Sequence, residues 1–194
     1  MEKDLTKYLA NYENFLDADY CKKAVKALKK AEWKTHQFYQ SGSGDYVSYE
    51  NELSVSWSNI RQRKEIQDKL YDGLLKYVKE LPKVAKSTRL HDWYAGWNGY
   101  SELRFNKYDE NTLMKLHCDH IHSMFDGQRK GIPALSLLGC LNDDYEGGEL
   151  IFWDDTEIKL KGGSLLIFPS NFMYPHEVKP VTKGSRYSYV SWAW

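Results

Sequence analysis

The sequence predicts a mainly β protein with N-terminal helices, whose second half is an antiparallel sandwich or barrel of jelly-roll type. Three features carry that expectation. Helical apolar stripes are confined to the first 90 residues, short apolar segments separated by turn signals fill the remainder, and no helical stripe interrupts them. The segments are 99–108, 113–119, 132–142, 148–153, 157–160, 164–168, 176–181 and 185–194, and eight short strands at such spacing suit a jelly roll.

Asp17 is a suitable N-cap for the first helix. Cys21, Ala24, Val25 and Leu28 follow at i, i+3, i+4 and i+7, and Lys22, Lys23, Lys26, Lys29 and Lys30 form a solvated face. The second helix runs from about Ile60 to Leu81, with Ile66, Leu70, Leu74, Tyr77 and Leu81 as its stripe and Pro82 as its stop. Between them, residues 41–45 read as a turn or loop and 46–57 as a strand pair. Later, 143–148 and Lys161-Gly162-Gly163 read as turns. The organisation expected is a helical support, 1–90, followed by a core, 91–194, in one continuous domain.

The chain has 194 residues, with 42% hydrophobic and 15% aromatic side chains, which excludes a disordered chain. Equal numbers of basic and acidic residues, 27 each, argue against a surface devoted to nucleic acid or anionic membrane. No apolar run approaches the roughly 20 residues of a membrane span, and the start MEKDLTK has no apolar signal core. Three cysteines, Cys21, Cys118 and Cys140, read as reduced thiols, so a cytoplasmic location is expected.

The segment Leu116-His117-Cys118-Asp119-His120-Ile121-His122 carries the chemistry. Residues i and i+2 of a strand share a face, so His117 and Asp119 can grip one ion together. With a distant His176 they make two imidazoles and one carboxylate, a facial set suited to non-haem Fe(II) oxygen chemistry. On the strand 185–194, Arg186, Ser188, Val190 and Trp192 share one face, and Tyr187, Tyr189, Ser191 and Ala193 share the other. An arginine turned into a barrel requires an anionic partner, which a dicarboxylate cosubstrate would supply.

These residues carry a resemblance. Residues 99–194 resemble the 2-oxoglutarate- and Fe(II)-dependent dioxygenases, most closely the prolyl 4-hydroxylase-like branch. The likeness runs through Leu103-Arg104-Phe105-Asn106-Lys107-Tyr108, His117-x-Asp119, Leu141-Asn142-Asp143, Gly147-Gly148-Glu149-Leu150-Ile151-Phe152, Gly163-Ser164-Leu165-Leu166-Ile167-Phe168, His176-Glu177-Val178, and Arg186 with Trp192. It implies a double-stranded β-helix and assigns His117, Asp119 and His176 to iron as the catalytic centre. It implies Arg186 for the distal carboxylate of 2-oxoglutarate, Tyr108 for a hydroxyl reaching the cosubstrate, and Trp192 for a position near substrate. Ser188, inward beside Arg186, joins the cosubstrate side. The small molecules implied are Fe(II), 2-oxoglutarate and O2, with ascorbate as an accessory. The substrate implied is a proline-containing peptide or protein, with succinate and CO2 as coproducts; a free amino acid or other small metabolite is the alternative. Met114 and Cys140 stand where the family has tyrosines, and Asp119, in place of a small residue, argues against the halogenating relatives.

Other readings use neighbouring residues. His120-x-His122 with Asp126, and Gly163 with Pro169, partly match the motifs of a non-catalytic, cupin-like metal-binding module. A Cys118/His120/Cys140 zinc site lacks any Cys-x-x-Cys pair. The pairs Asp143/Asp144 and Asp154/Asp155 read as exposed turn residues. Trp93-Tyr94-Ala95-Gly96-Trp97 is a candidate substrate wall. No nucleophile elbow, phosphate loop or dinucleotide fingerprint is present.

Overall fold

Burial of the two helical stripes sets the outer layer. In α1 (Ala18–Leu28) the Asp17 carboxylate accepts from the backbone amides of Asp19 and Tyr20, and Cys21, Ala24 and Leu28 are buried. In α2 (Arg61–Glu80) the buried stripe is Ile66, Leu70, Gly73, Leu74, Tyr77 and Val78, with no side-chain cap at Ile60. The computed structural model of the chain describes residues 4–40, 42–81, 96–119 and 133–194; His120, His122, Asp126, Pro82 and Trp93–Ala95, named above, lie outside them.

The strands are β1 (Ala10–Tyr12), β2 (Lys34–Thr35), β3 (Phe38–Gln40), β4 (Asp45–Val47), β5 (Ser54–Ser56), β6 (Arg104–Tyr108), β7 (Met114–His117), β8 (Leu135–Cys140), β9 (Tyr145–Gly147), β10 (Leu150–Phe152), β11 (Thr156–Ile158), β12 (Leu165–Pro169), β13 (His176–Val178), β14 (Val181–Gly184) and β15 (Arg186–Ala193). A seven-stranded sheet has the order β1-β12-β8-β15-β6-β5-β2, and a four-stranded sheet the order β11-β10-β13-β7. The pairs β14-β9 and β3-β4 complete the architecture of the described residues, and every strand pair among them is antiparallel. This is the expected double-stranded β-helix with helices outside it.

Period-2 alternation divides the core in two. One face of the large sheet carries Phe105, Leu135, Leu137, Leu165, Ile167, Tyr187, Tyr189 and Ala193, packed with the stripes of α1 and α2. The opposite face carries Tyr108, Leu138, Cys140, Leu166, Phe168, Val190 and Trp192, packed with Leu150, Phe152 and Val178 of the small sheet. The site therefore has to lie between the sheets, away from the helices.

Three elements differ from expectation. Residues 46–57 do not pair with themselves: β4 pairs with β3, whereas β5 pairs with β6, opposing Val55 to Asn106. Leu53 and Val55 are buried in the inner core, which draws that segment into the large sheet. The segment 176–181 is two strands, β13 and β14, because Pro180 between them has no N–H to donate to a ladder. Part of the expected turn 143–148 is β9, paired with β14; at Gly147 (φ 77°) a Cβ would come within 2.5 Å of the Pro180 carbonyl oxygen. Asp143, Asp144, Asp154 and Asp155 are all exposed as expected, with Asp154 and Asp155 in a turn.

The centre of the large sheet also has a steric prediction. A Cβ at Gly139 would lie 2.0 Å from the Tyr189 ring, which is fully buried against that strand. Gly139→Ala should destabilise the chain by about 1–3 kcal/mol, read as a lower urea midpoint. An unchanged midpoint would show that the Tyr189 ring does not pack on β8.

Candidate active site

Strand pairing brings three separated donors together. The register of β13 against β7 sets His176 opposite His117, with ring centroids 4.4 Å apart. Asp119, two residues beyond, holds Oδ1 3.6 Å from His117 Nε2. One ligand atom from each of His117, Asp119 and His176 lies within 4.8 Å of the others.

Contacts behind these donors orient them. His117 Nδ1 is 2.8 Å from the Lys115 carbonyl oxygen, and His176 Nδ1 is 3.1 Å from that of Tyr174. A carbonyl oxygen only accepts, so each Nδ1 carries the proton and each Nε2 keeps its lone pair. Metal-binding imidazoles are held in this way. The Ser136 hydroxyl donates to Asp119 Oδ2 and also contacts the Ser170 hydroxyl. Phe152 and Phe168 pack on the His176 ring at 5.2 and 5.1 Å.

Burial pushes the His176 imidazole down to about 4, with the nearby His117 adding to the effect. Burial works in the opposite direction on Asp119, but the neighbouring His117 and His176, which favour its anion, and the Ser136 hydroxyl hold the carboxyl well below its usual range. At neutral pH this leaves a neutral imidazole and an ionised carboxylate, the protonation states a metal requires. Two imidazole nitrogens and a carboxylate oxygen on one side of a common point fit a divalent ion of the Fe(II) type.

A second polar cluster lies on the same inner sheet face. Arg186 is 1% exposed, and its Nε and Nη1 have no hydrogen-bond partner among the described residues. The guanidinium carbon is 5.0 Å from the centre of the Tyr108 ring, Tyr108 stands opposite Arg186 in register, and the buried Ser188 hydroxyl is also unpartnered. Tyr145 Oη lies 3.7 Å from Cys140 Sγ, close enough to interact with Arg186. Burial pushes the Tyr108 and Tyr145 phenols up, so both are un-ionised at neutral pH. No carboxylate of the described residues forms an ion pair with Arg186, and an unpaired buried charge is costly. The donors suit a bidentate carboxylate, so this end of the site fits an organic acid such as 2-oxoglutarate.

The structure thus groups His117 with Asp119 and His176, and Arg186 with Tyr108 and Ser188. Trp192 lies further along β15, on the same face, with its buried Nε1 unpartnered. Met114 and Cys140 are buried in the inner core. Trp97 departs from the expected substrate wall: it packs on the helical side, 6.2 Å from Tyr71. Several residues of the site were not anticipated. Ser136 is the polar member of an otherwise apolar alternation in β8, a signal legible in hindsight. Tyr145 was hidden in an apparent turn. Arg104, on the inner face of β6, packs 5.0 Å from the Trp192 ring. His36 and Glu52 are a buried pair, 3.5 Å apart, brought in by N-terminal strands and turns.

Known proteins resemble this chain in sequence and in fold. Residues 103–194 match the family model of the 2OG-Fe(II) oxygenase superfamily. A PKHD-type hydroxylase of Stenotrophomonas maltophilia is 34% identical over 98 residues, covering 48% of this chain and 43% of the relative. The chain thus spans less than half the length of that relative. A PKHD-type hydroxylase of Idiomarina loihiensis is 26% identical over 182 residues, 92% of this chain and 74% of the relative. Among solved structures, a Trichoplax adhaerens prolyl hydroxylase, in complex with a hypoxia inducible factor peptide fragment, superposes with a TM-score of 0.68 at 18% identity, covering 97% of this chain and 84% of that one. The likeness is one of fold.

Two outcomes follow from this geometry. Ser136→Ala should weaken Mn(II) binding about 10- to 100-fold by freeing the Asp119 carboxylate, as read by titration calorimetry; unchanged affinity would leave Ser136 without that role. For the metal-free chain, His176 titrates near 6.5 unfolded and about 4 folded, and burial lowers His36 in the same direction. The unfolded chain binds more protons between those values, so stability should fall as pH drops from 6.5 to 4, by on the order of 2–3 kcal/mol from His176. Urea midpoints flat across that window would contradict the buried, neutral imidazole.

Proposed function

We propose that the chain is an Fe(II)- and 2-oxoglutarate-dependent dioxygenase that hydroxylates a C–H bond, with a prolyl residue of a peptide or protein as its target and succinate and CO2 as coproducts. The observation that carries this reading is the convergence of His117, Asp119 and His176 between the sheets, together with the buried Arg186, which has no carboxylate partner among the described residues. Residues 91–194 would hold the chemistry, and 1–90 would support them.

In this reading His117, Asp119 and His176 hold the metal, which when bound with 2-oxoglutarate and O2 supplies the oxidising chemistry. The Arg186 fork and the Ser188 hydroxyl bind the distal carboxylate of 2-oxoglutarate, and the Tyr108 hydroxyl orients that molecule. The carbonyls of Lys115 and Tyr174 keep both imidazoles in the ligating tautomer, and Ser136 aims the carboxylate. Phe152, Phe168, Leu138 and Val190 exclude water and so strengthen each polar contact in the pocket. Trp192 forms part of the substrate wall. Ascorbate joins the proposal as an accessory reductant. A cytoplasmic setting is supported by the free thiols of Cys21, Cys118 and Cys140. Among the described residues, no helix is long and apolar enough to cross a membrane.

Anaerobic addition of Fe(II) and 2-oxoglutarate should produce a visible charge-transfer band. Aerobic reaction with a prolyl peptide library should give a 2-oxoglutarate-dependent gain of one oxygen atom by mass spectrometry. Asp119→Ala should lose both signals, whereas Asp154→Ala, in the exposed turn after β10, should retain them. A band with no oxygenated prolyl peptide would exclude the prolyl target and leave a small-molecule substrate; no band at all would remove the oxygenase reading.

A further inference from the structure

Arg104 is a second arginine on the inner sheet face, and its environment differs from that of Arg186. The alternation of β6 turns Arg104, Asn106 and Tyr108 to the same side. Arg104 Nε donates to Asn106 Oδ1 at 3.0 Å, and the guanidinium stacks 5.0 Å from the Trp192 ring. These two contacts fix its plane. Arg104 is half-buried, and among the described residues its guanidinium makes no side-chain hydrogen bond beyond the Nε contact and no ion pair with a carboxylate. The carboxylate whose charge it feels is that of Asp119. Asp119 is engaged by Ser136 and by the candidate metal position, where a divalent ion would consume its charge. Burial without a dedicated anion lowers the Arg104 guanidinium to about 10.

The cosubstrate reading is built on Arg186, which sits at a different place in the sheet. In register Tyr108 stands opposite Arg186, and Arg104 stands opposite Val190. Four strand residues separate the two arginine positions, about 13 Å, and an extended five-carbon diacid is roughly half as long. At the side-chain level the two differ in the ring each guanidinium packs on, Tyr108 for Arg186 and Trp192 for Arg104. Arg104 packs on Trp192, which stands opposite Ser136 in register, and Ser136 is the residue bonded to Asp119.

We propose that Arg104 determines specificity by pairing with a substrate carboxylate that lies close to the carbon being oxidised. This rests on the oxygenase reading above and narrows its substrate class. The stacked guanidinium presents a planar fork with a free edge, the geometry that recognises a carboxylate bidentately. A neutral prolyl ring within an uncharged peptide would leave that edge unpaired beside the metal.

The test is titration calorimetry on the full chain loaded with Mn(II) and 2-oxoglutarate, which measures binding without turnover. Three acid and neutral pairs distinguish the source of the carboxylate. They are an acetylated peptide ending in proline as free acid or amide, an internal prolyl peptide with Glu or Gln beside the proline, and free L-proline or L-prolinamide. The acid of at least one pair should bind about 10- to 100-fold more tightly, as a charge-assisted contact requires. Arg104→Met should abolish that preference and Arg104→Lys should keep part of it; the wild-type and Lys measurements stand even where the Met variant fails to fold. Equal affinity or no binding across all three pairs overturns the assignment of Arg104 alone, as does a preference that survives Arg104→Met. A chain that takes up neither Mn(II) nor 2-oxoglutarate overturns the oxygenase reading and the Arg104 proposal with it.

Discussion

The structure depends on the demand that β15 be buried on both faces while serving two unlike environments. All eight of its residues are buried. Tyr187, Tyr189 and Ala193 enter the apolar layer beneath the helices, whereas Arg186, Ser188 and Trp192 enter the space between the sheets. Alternation by one residue is the reason the two sets stay separate. A slip of one residue would place the guanidinium against α1 and α2 and two tyrosines in the pocket. Pairing with β8 on one side and β6 on the other, over long registers, opposes such a slip.

The metal-site geometry depends on contacts between sheets as well as within one. His117 and His176 are placed by the β7–β13 ladder, but Asp119 is steadied by Ser136 from β8, across the sandwich. Closure of the two sheets is therefore part of the site's geometry. Phe152 and Phe168, one from each sheet, pack on His176 and on each other, so the apolar seal and the donor set share the same side chains.

The pocket also concentrates groups that a plain core would satisfy internally. Arg186 Nε and Nη1, Ser188 Oγ and Trp192 Nε1 are all buried without hydrogen-bond partners among the described residues. Each such group carries a desolvation penalty, and their clustering on one face is the usual signature of a surface completed by a ligand. The His36–Glu52 pair extends the polar zone towards the N-terminal strands, where Phe38 lies 6.0 Å from the His117 ring. Residues before 60 thus join the large sheet and border the site directly, through β2, β5 and the turn carrying Glu52.

Periodicity alone was enough to locate the helices, the sandwich and the inward face of β15, because those patterns are local and each apolar stripe has to be buried. The His-x-Asp pair was legible because its two residues are near neighbours in the chain, although Asp119 lies just past the end of β7. The sequence could not show that Val55 would pair with Asn106, that Tyr145 would come to lie beside Arg186, or that Ser136 would reach Asp119. Those are meetings of segments far apart in the chain, selected by which faces remain to be covered once the sheets close. Local pattern determined which side each residue faces; only tertiary packing decided what it faces there.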